Sequence, residues 1–293
     1  MQDGATPGRY PVRPRLVALR RNTDPHVHCP DRPSVEADSV HEMLLAHDVH
    51  GRDDAEPVVL IHGITESRAA WDPLLDDLGG SFRLLTVDLR GHGDSEVAGP
   101  YDPISYAGDV VETMTATGFA GATVVGHSLG GIVASAVAAL GTTRRVINID
   151  QSIRLSGFKA LIGSIEPQLR GDDATFRSTM EMVFATMLGP LPPEEVERLD
   201  SLRHARQDVV LGTWESVLES TEAELDATVA ALADAITVPY LALHGMDPGD
   251  GYAEWLGGLV PTATVELWAD HGHYPHLVDR ARFVTRLREF VGA

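Results

Sequence analysis

The chain has 293 residues, 43% of them hydrophobic, which suits one α/β domain with an insertion better than two independent domains. Its net charge of −20 argues against nucleic acid or an anionic membrane surface as partner, since both need clustered Lys and Arg. Cys29 is the only cysteine, so no intramolecular disulfide can form, and no stretch approaches the roughly 18 apolar residues that span a bilayer.

Residues 1–42 are rich in Pro, Arg, Asp and His without periodicity, and the expectation is an extended or disordered arm. Asp24-Pro25-His26-Val27-His28-Cys29 matches no known metal-ligand spacing and reads as a solvated tail. The first 30 residues hold no apolar segment of a secretory signal, so a cytoplasmic location is expected. From Met43 onward strands and helices alternate. Leu44–Val49 and Pro57–Ile61 read as a hairpin of strands around Gly51–Asp54, Ser67–Leu78 as a helix, Arg83–Asp88 as a strand and Pro103–Thr117 as a helix. Arg145–Ile149, Val238–Leu243 and Thr264–Leu267 read as further strands, with helices at Tyr252–Leu259 and Asp279–Phe290. Short β-branched runs separated by helical patterns imply a mostly parallel sheet covered by helices on both faces.

Residues 151–237 contain no convincing strand and read as several helices, for instance Thr175–Leu188, Pro193–Arg206 and Ala223–Ala235. An all-helical insertion past the carboxyl edge of a sheet makes a lid over a site there. The expected organisation is therefore an arm (1–42), a core (43–150 and 238–293) and a helical lid (151–237).

The most informative stretch is Gly126-His127-Ser128-Leu129-Gly130. An apolar strand, Thr123–Val125, runs into it, and an alanine-rich helix, Ile132–Leu140, runs out. In that strand–turn–helix context a Gly-x-Ser-x-Gly pattern is a nucleophile elbow. The serine sits on a strained turn, the flanking glycines remove the Cβ atoms that would clash, and the helix points its first N–H groups at developing negative charge.

With these features residues 44–291 resemble the α/β-hydrolase superfamily. Besides the elbow, Leu60-Ile61-His62-Gly63-Ile64-Thr65 resembles its oxyanion loop, and Asp88-Leu89-Arg90-Gly91-His92-Gly93-Asp94-Ser95 its Arg-Gly-His-Gly-x-Ser turn. Leu243–Asp247 resembles the strand end that carries the acid, and Gly272-His273-Tyr274-Pro275-His276-Leu277 the loop with the catalytic histidine. The resemblance implies Ser128 as nucleophile and His273 as its base, with His271 a rival for the base and His276 a surface or supporting residue. Asp247 is the expected acid, giving the order Ser–Asp–His. Its spacing departs from the common Gly-x-x-Asp, however, so Asp150 is a serious alternative and Asp250 a minor one. The oxyanion donors are expected to be the backbone N–H groups of Ile64 and Leu129. Arg90 and His92 read as braces of their turn.

Phe176, Met180, Val183, Phe184 and Met187 share one helical face, with Met182 off it, and most are expected to pack on the domain below. His62, Trp71, Met180, Phe184 and Trp214 are the candidate substrate-binding residues, with Trp255 a further possible wall; these imply a small-molecule substrate with an apolar part. The resemblance implies a serine hydrolase of a carboxylic ester or lactone working through an acyl-enzyme, without metal or organic cofactor. A carbon–carbon bond hydrolase or an amidase on the same triad is an alternative, and a small-molecule receptor on the same scaffold is one from a different class.

Overall fold

Two runs of aliphatic residues, Val58–Ile61 and Leu84–Val87, are fully buried along their length, as strands must be when both faces and both edges are covered. They stand near the middle of a seven-stranded sheet in a computed structural model that describes residues 43–292. The expectations for 1–42, including the Asp24–Cys29 stretch, lie outside the described residues. The strands are β1 (His47–Gly51), β2 (Glu56–Ile61), β3 (Phe82–Val87), β4 (Thr123–His127), β5 (Arg145–Ile149), β6 (Tyr240–His244) and β7 (Ala263–Leu267). They lie in the order β1-β3-β2-β4-β5-β6-β7, and every pairing is parallel except that of β1 with β3.

The expected hairpin of the first two strands does not form. β3 lies between them, Leu85 facing Val49 on one side and Val59 on the other. The reason is polarity. β1 carries His47, Asp48 and His50 and tolerates an edge, whereas β2 and β3 are aliphatic and take interior places.

A 3-10 turn (Arg68–Trp71) leads into α1 (Asp72–Gly79), followed along the chain by α2 (Pro103–Ala116) and α3 (Leu129–Ala139). Between β5 and β6 come α4 (Ser156–Leu169), α5 (Asp173–Ala185), α6 (Pro193–Leu202), α7 (Gln207–Glu219) and α8 (Glu222–Asp234), with no strand among them. α9 (Tyr252–Leu259), α10 (Pro275–Val278) and α11 (Arg280–Val291) complete the order. Local sequence sets several starts. Asp102 accepts the amides of Ile104 and Ser105 with Pro103 in the first turn of α2, and Thr221 with Glu224 forms a capping box at α8. The expected helix 193–206 stops at Leu202, and α7 begins afresh at Gln207 after an extended link.

Alternation along each strand divides the core. Val59, Ile61, Val124 and Ala242 face a layer containing α2, α3, α8 and α9, continuous with the apolar side chains of α4, α5 and α7. Val58, Leu60, Val125 and Leu241 face α1 and α11, and Leu199 of α6 belongs to this layer too. Lys159, the only lysine, donates to the carbonyls of Val217 and Leu218 and so ties α4 to the end of α7.

The chain reverses direction across the sheet between β2 and β4, since β3 lies on one side of β2 and β4 on the other. The loops leaving the carboxyl ends of β2 and β4 therefore flank the place where open α/β sheets bind ligands. Glycine makes the approach possible there. A Cβ on Gly126 would lie 1.9 Å from the carbonyl oxygen of Gly130, and one on Gly130 would lie 2.3 Å from that of Ile61. The first turn of α3 is thus pressed onto both strands. Gly126→Ala is expected to cost about 3 kcal/mol or more, because backbone has to move. Gly163→Ala, in α4 with nothing near its added Cβ, should gain up to about 1 kcal/mol. Urea midpoints of the two variants check the pair, and a tolerated Gly126→Ala would contradict the packing described.

Candidate active site

Ser128 sits between the last residue of β4 and the first of α3 with φ 53° and ψ −121°, in a region disfavoured for any residue with a Cβ. The strain is held from both sides: its N–H donates to the carbonyl of Ile149, and its carbonyl accepts from Gly131. The serine is half-buried, whereas His127 before it and Leu129 after it are buried.

His273 lies on the loop between β7 and α10, and its backbone N–H donates to the carbonyl of Met187 just past α5. Its Nδ1 stands 2.6 Å from Oδ2 of Asp150. A carboxylate only accepts, so Nδ1 carries the hydrogen and Nε2 is the nitrogen left for a substrate or nucleophile. Asp150 follows β5, is buried, and has φ 50°. Its other oxygen, Oδ1, accepts the amides of Gly245 (2.7 Å) and Met246 (2.9 Å), and the ring of His244 approaches to 3.9 Å. Burial works against the charged form. The hydrogen bond and charge of His273, with the two amides, prevail and hold the Asp150 carboxyl below the usual carboxylate range.

Asp247, the expected acid, is not the partner of His273. It is exposed, and its Oδ1 accepts the amide of Gly249, closing its own turn. The short Gly245-Met246-Asp247 spacing explains this. The loop after β6 presents two amides to the site and only then its carboxylate, so the carboxylate that meets His273 comes from the end of β5, one strand further in. Asp250 is likewise exposed. His271 turns away and pairs with the carbonyl of Ala269. His276 is buried against Trp71, His127 and Phe283 rather than on the surface.

The loop after β2 carries Ile64. Among the described residues neither the Ile64 amide nor the Leu129 amide has a hydrogen-bond acceptor, and both residues are buried. His62 is fully buried. Its Nδ1 donates to the carbonyl of Gly63 (2.7 Å) and its Nε2 accepts the amide of Leu89 (3.1 Å), so both ring nitrogens are spent on joining two loops. Trp71 is 1% exposed and lies in the α1 and α11 layer against His276, which makes it core. Met180, Phe184 and Trp214 are buried in the layer shared with the insertion; Trp214 meets Phe158 edge-on, and Phe184 lies under the Arg203 guanidinium. Met182 is exposed, as its position off the helical stripe implies. Trp255 is partly buried beside Arg154. Arg90 grips Asp109 with two hydrogen bonds and reaches the carbonyl of Pro100, while His92 bonds the carbonyl of Arg90, so both brace their turn.

A buried carboxylate that the sequence reading passed over also lies here. Glu66, three residues after Gly63, accepts the Gly63 amide at 3.1 Å and the Tyr274 hydroxyl at 2.9 Å, with Nδ1 of His127 at 3.7 Å. Burial opposes its ionisation, but His127, Tyr274 and Arg203 hold its carboxyl below the usual range. An acid placed three residues after the His62-Gly63 pair, directly beyond the segment Ile61–Thr65, was the signal available for it.

Several imidazoles near the site are kept neutral. Burial depresses His62, His244 and His276, and burial with the neighbouring His62 pushes His92 down to about 3. An unfolded histidine takes up its proton near pH 6.5, so this contribution to stability is full above about 6.5 and declines as the pH falls through the folded value. Unfolding free energy should drop between pH 6.5 and 4, and His92→Gln should flatten that slope by up to about 1.4 kcal/mol per pH unit. An unchanged slope in urea titrations would contradict the neutral, buried state of His92.

The family model described as "Alpha/beta hydrolase family" matches residues 58–286. A pimeloyl-[acyl-carrier protein] methyl ester esterase of Aliivibrio salmonicida is 25% identical over 252 residues, covering 81% of this chain and 93% of its own. Among solved structures, a hydrolase from Pseudomonas aeruginosa has a TM-score of 0.71 at 23% identity, covering 85% of this chain and 94% of its own. The enol-lactonase of Burkholderia xenovorans has a TM-score of 0.61 at 23% identity, covering 85% and 96%. Among the described residues no helix is long and apolar enough to cross a membrane.

The geometry separates two aspartates. Asp150→Asn should lower kcat by about a thousandfold or more, and Asp247→Asn should stay within about threefold of the parent. Ester turnover by the two variants, both first shown to be folded, checks this, and the reverse ranking would refute the placement of the acid.

Proposed function

Since the chain belongs to the alpha/beta hydrolase family, we propose that it is a serine-dependent hydrolase of carboxylic esters or lactones acting through an acyl-enzyme. The observation that carries this reading is the convergence, at the carboxyl edge of one sheet, of a serine on a strained turn and a buried His273–Asp150 pair. A free hydroxyl is a weak nucleophile at neutral pH and needs a base. His273 takes the proton of Ser128 through Nε2, and Asp150 holds the ring in the required tautomer and stabilises the imidazolium. The alkoxide attacks the carbonyl carbon, and the negative charge that develops on oxygen falls to the amides of Ile64 and Leu129. Each such donor is worth about 3 kcal/mol in the transition state. His273 then gives its proton to the departing alcohol, and water, deprotonated by the same ring, releases the acid.

The helical insertion is the lid in this reading. Its contacts with the site loops support that: Met187 holds the His273 amide, and the amide of His204 donates to the carbonyl of Thr65. The insertion also bears on the substrate. Residues 151–237 contain seven Lys and Arg against fifteen Asp and Glu. That excess of negative charge favours a free small molecule with an apolar part over one carried on an acidic protein.

The test is a time course on p-nitrophenyl esters of increasing acyl length, together with simple lactones. Turnover is expected on at least one series, and Ser128→Ala should lower it by about a thousandfold or more while leaving the fold intact. Undiminished turnover in Ser128→Ala would overturn the mechanism, and a folded protein inert on every ester and lactone would overturn the substrate class.

A further inference from the structure

Glu66 is 3% exposed, and its two carboxylate oxygens join three segments of the chain, with a fourth reached through a shared hydroxyl. Oε2 accepts the Gly63 amide in the loop after β2 and faces Nδ1 of His127 at 3.7 Å, in the residue before the elbow serine. Oε1 accepts the hydroxyl of Tyr274, the residue after His273, and that same hydroxyl accepts Nη2 of Arg203 at the end of α6. His127 in turn uses Nε2 to donate to the backbone carbonyl of His273 at 2.8 Å. The groups facing the carboxylate are therefore one backbone amide, one imidazole and one hydroxyl, with a guanidinium behind the hydroxyl.

The place of Gly63 within this cluster gives the carboxylate a task. A Cβ built on Gly63 would stand 3.1 Å from Oε2 of Glu66, 3.3 Å from Nδ1 of His127 and 3.3 Å from Cβ of Ser128. Gly63 is thus wedged between the acid and the nucleophile's own residue. Its N–H is bonded to Glu66, while the amide of Glu66 bonds back to the carbonyl of Gly63 at 3.3 Å. These reciprocal bonds close the turn Gly63–Glu66: the carboxylate holds the peptide before Gly63 by its N–H, and the Glu66 amide, with Nδ1 of His62, holds the Gly63 carbonyl and so the plane of the peptide that carries the Ile64 N–H. Thr65, within that turn, has φ 67° for a residue with a branched side chain, a conformation that persists only when its surroundings hold it.

We infer that Glu66 is a positioning residue for the oxyanion site: its carboxylate clamps the Gly63 N–H and its amide the Gly63 carbonyl, and the turn closed in this way aims the Ile64 amide at the oxygen that becomes negative when Ser128 attacks. The inference rests on the hydrolase reading above and adds to it a residue that does not touch substrate. What the role requires is an acceptor at the right distance. A full negative charge is secondary, because the side-chain contact that closes the turn is a single N–H to oxygen bond.

Two conservative variants separate reach from charge. Glu66→Gln keeps the length and one acceptor oxygen, whereas Glu66→Asp keeps the charge and withdraws it by one methylene, out of reach of Gly63. Steady-state kinetics on the best p-nitrophenyl ester, with thermal unfolding of each variant alongside, reads the difference. Glu66→Gln should retain kcat within about threefold, and Glu66→Asp should lose about ten- to a hundredfold in kcat, part of the value of a whole oxyanion donor. KM should stay within about twofold in both, because the contact matters in the transition state and not in ground-state binding. Affinity for a trifluoromethyl ketone, which forms a tetrahedral adduct, should fall in Glu66→Asp in proportion to kcat. The opposite ranking, equal loss in both variants, wild-type kcat in Glu66→Asp, or a change confined to KM would each overturn the proposal. Should Glu66→Asp fail to fold, a large loss of kcat in folded Glu66→Gln overturns it alone. Failure of the hydrolase reading shows separately, as absence of turnover and of Ser128 labelling by a fluorophosphonate in the wild type.

Discussion

A carboxylate taken out of water has to have its lone pairs occupied, and at the end of β5 that requirement organises the loops of three strands. Asp150 takes two amides from the loop after β6 on one oxygen and the ring of His273, from the loop after β7, on the other. Its own backbone is left-handed and its N–H is bonded to Leu243, so the side chain enters from a fixed direction. Removing one partner would strand a buried charge, which costs far more than the pair contributes when intact. The carboxylate therefore holds the imidazole, and the imidazole holds the carboxylate ionised.

The nucleophile side of the site is set by steric contact more than by charge. Close approach of α3 to β2 and β4, through Gly126 and Gly130, puts Ser128 on its strained turn, and the first amide of the helix is left without an acceptor among the described residues. The helical insertion touches this arrangement at several points. Its helices bury Met180, Phe184 and Trp214 in a layer continuous with the sheet, and its connecting segments hold the loops of His273 and Thr65 by backbone hydrogen bonds.

The elements most legible in the sequence are those whose cause is local. The run Arg145–Ile149 is aliphatic enough to demand an interior strand and occupies just those residues, and the glycines around Ser128 announce a turn that few other residues could make. Legibility fails where pairing is remote. β1 and β2 are neighbours in the chain and look like a hairpin, yet β3, some 20 residues on, inserts between them because both of its faces are apolar. The same limit applies within the site. Asp150 directly after β5 and Asp247 in the loop after β6 both follow strand ends, and nothing local says which loop will deliver amides and which a carboxylate. His62 and Trp71 have the chemistry of ligand contacts, but their partners, the Leu89 amide and the His276 ring, lie 27 and 205 positions away. Glu66 escaped notice for a similar reason, since its partners Tyr274 and His127 lie far along the chain.

The claim on which the rest depends is that His273 shares its Nδ1 hydrogen with the buried carboxylate of Asp150. Proton NMR of the folded enzyme reads that hydrogen directly, since a buried imidazole N–H bonded to a carboxylate resonates far downfield of the amides and exchanges slowly. The account predicts such a signal in the wild type and in Asp247→Asn, and its loss in folded Asp150→Asn and His273→Gln. A signal that survives Asp150→Asn and disappears in Asp247→Asn would contradict it.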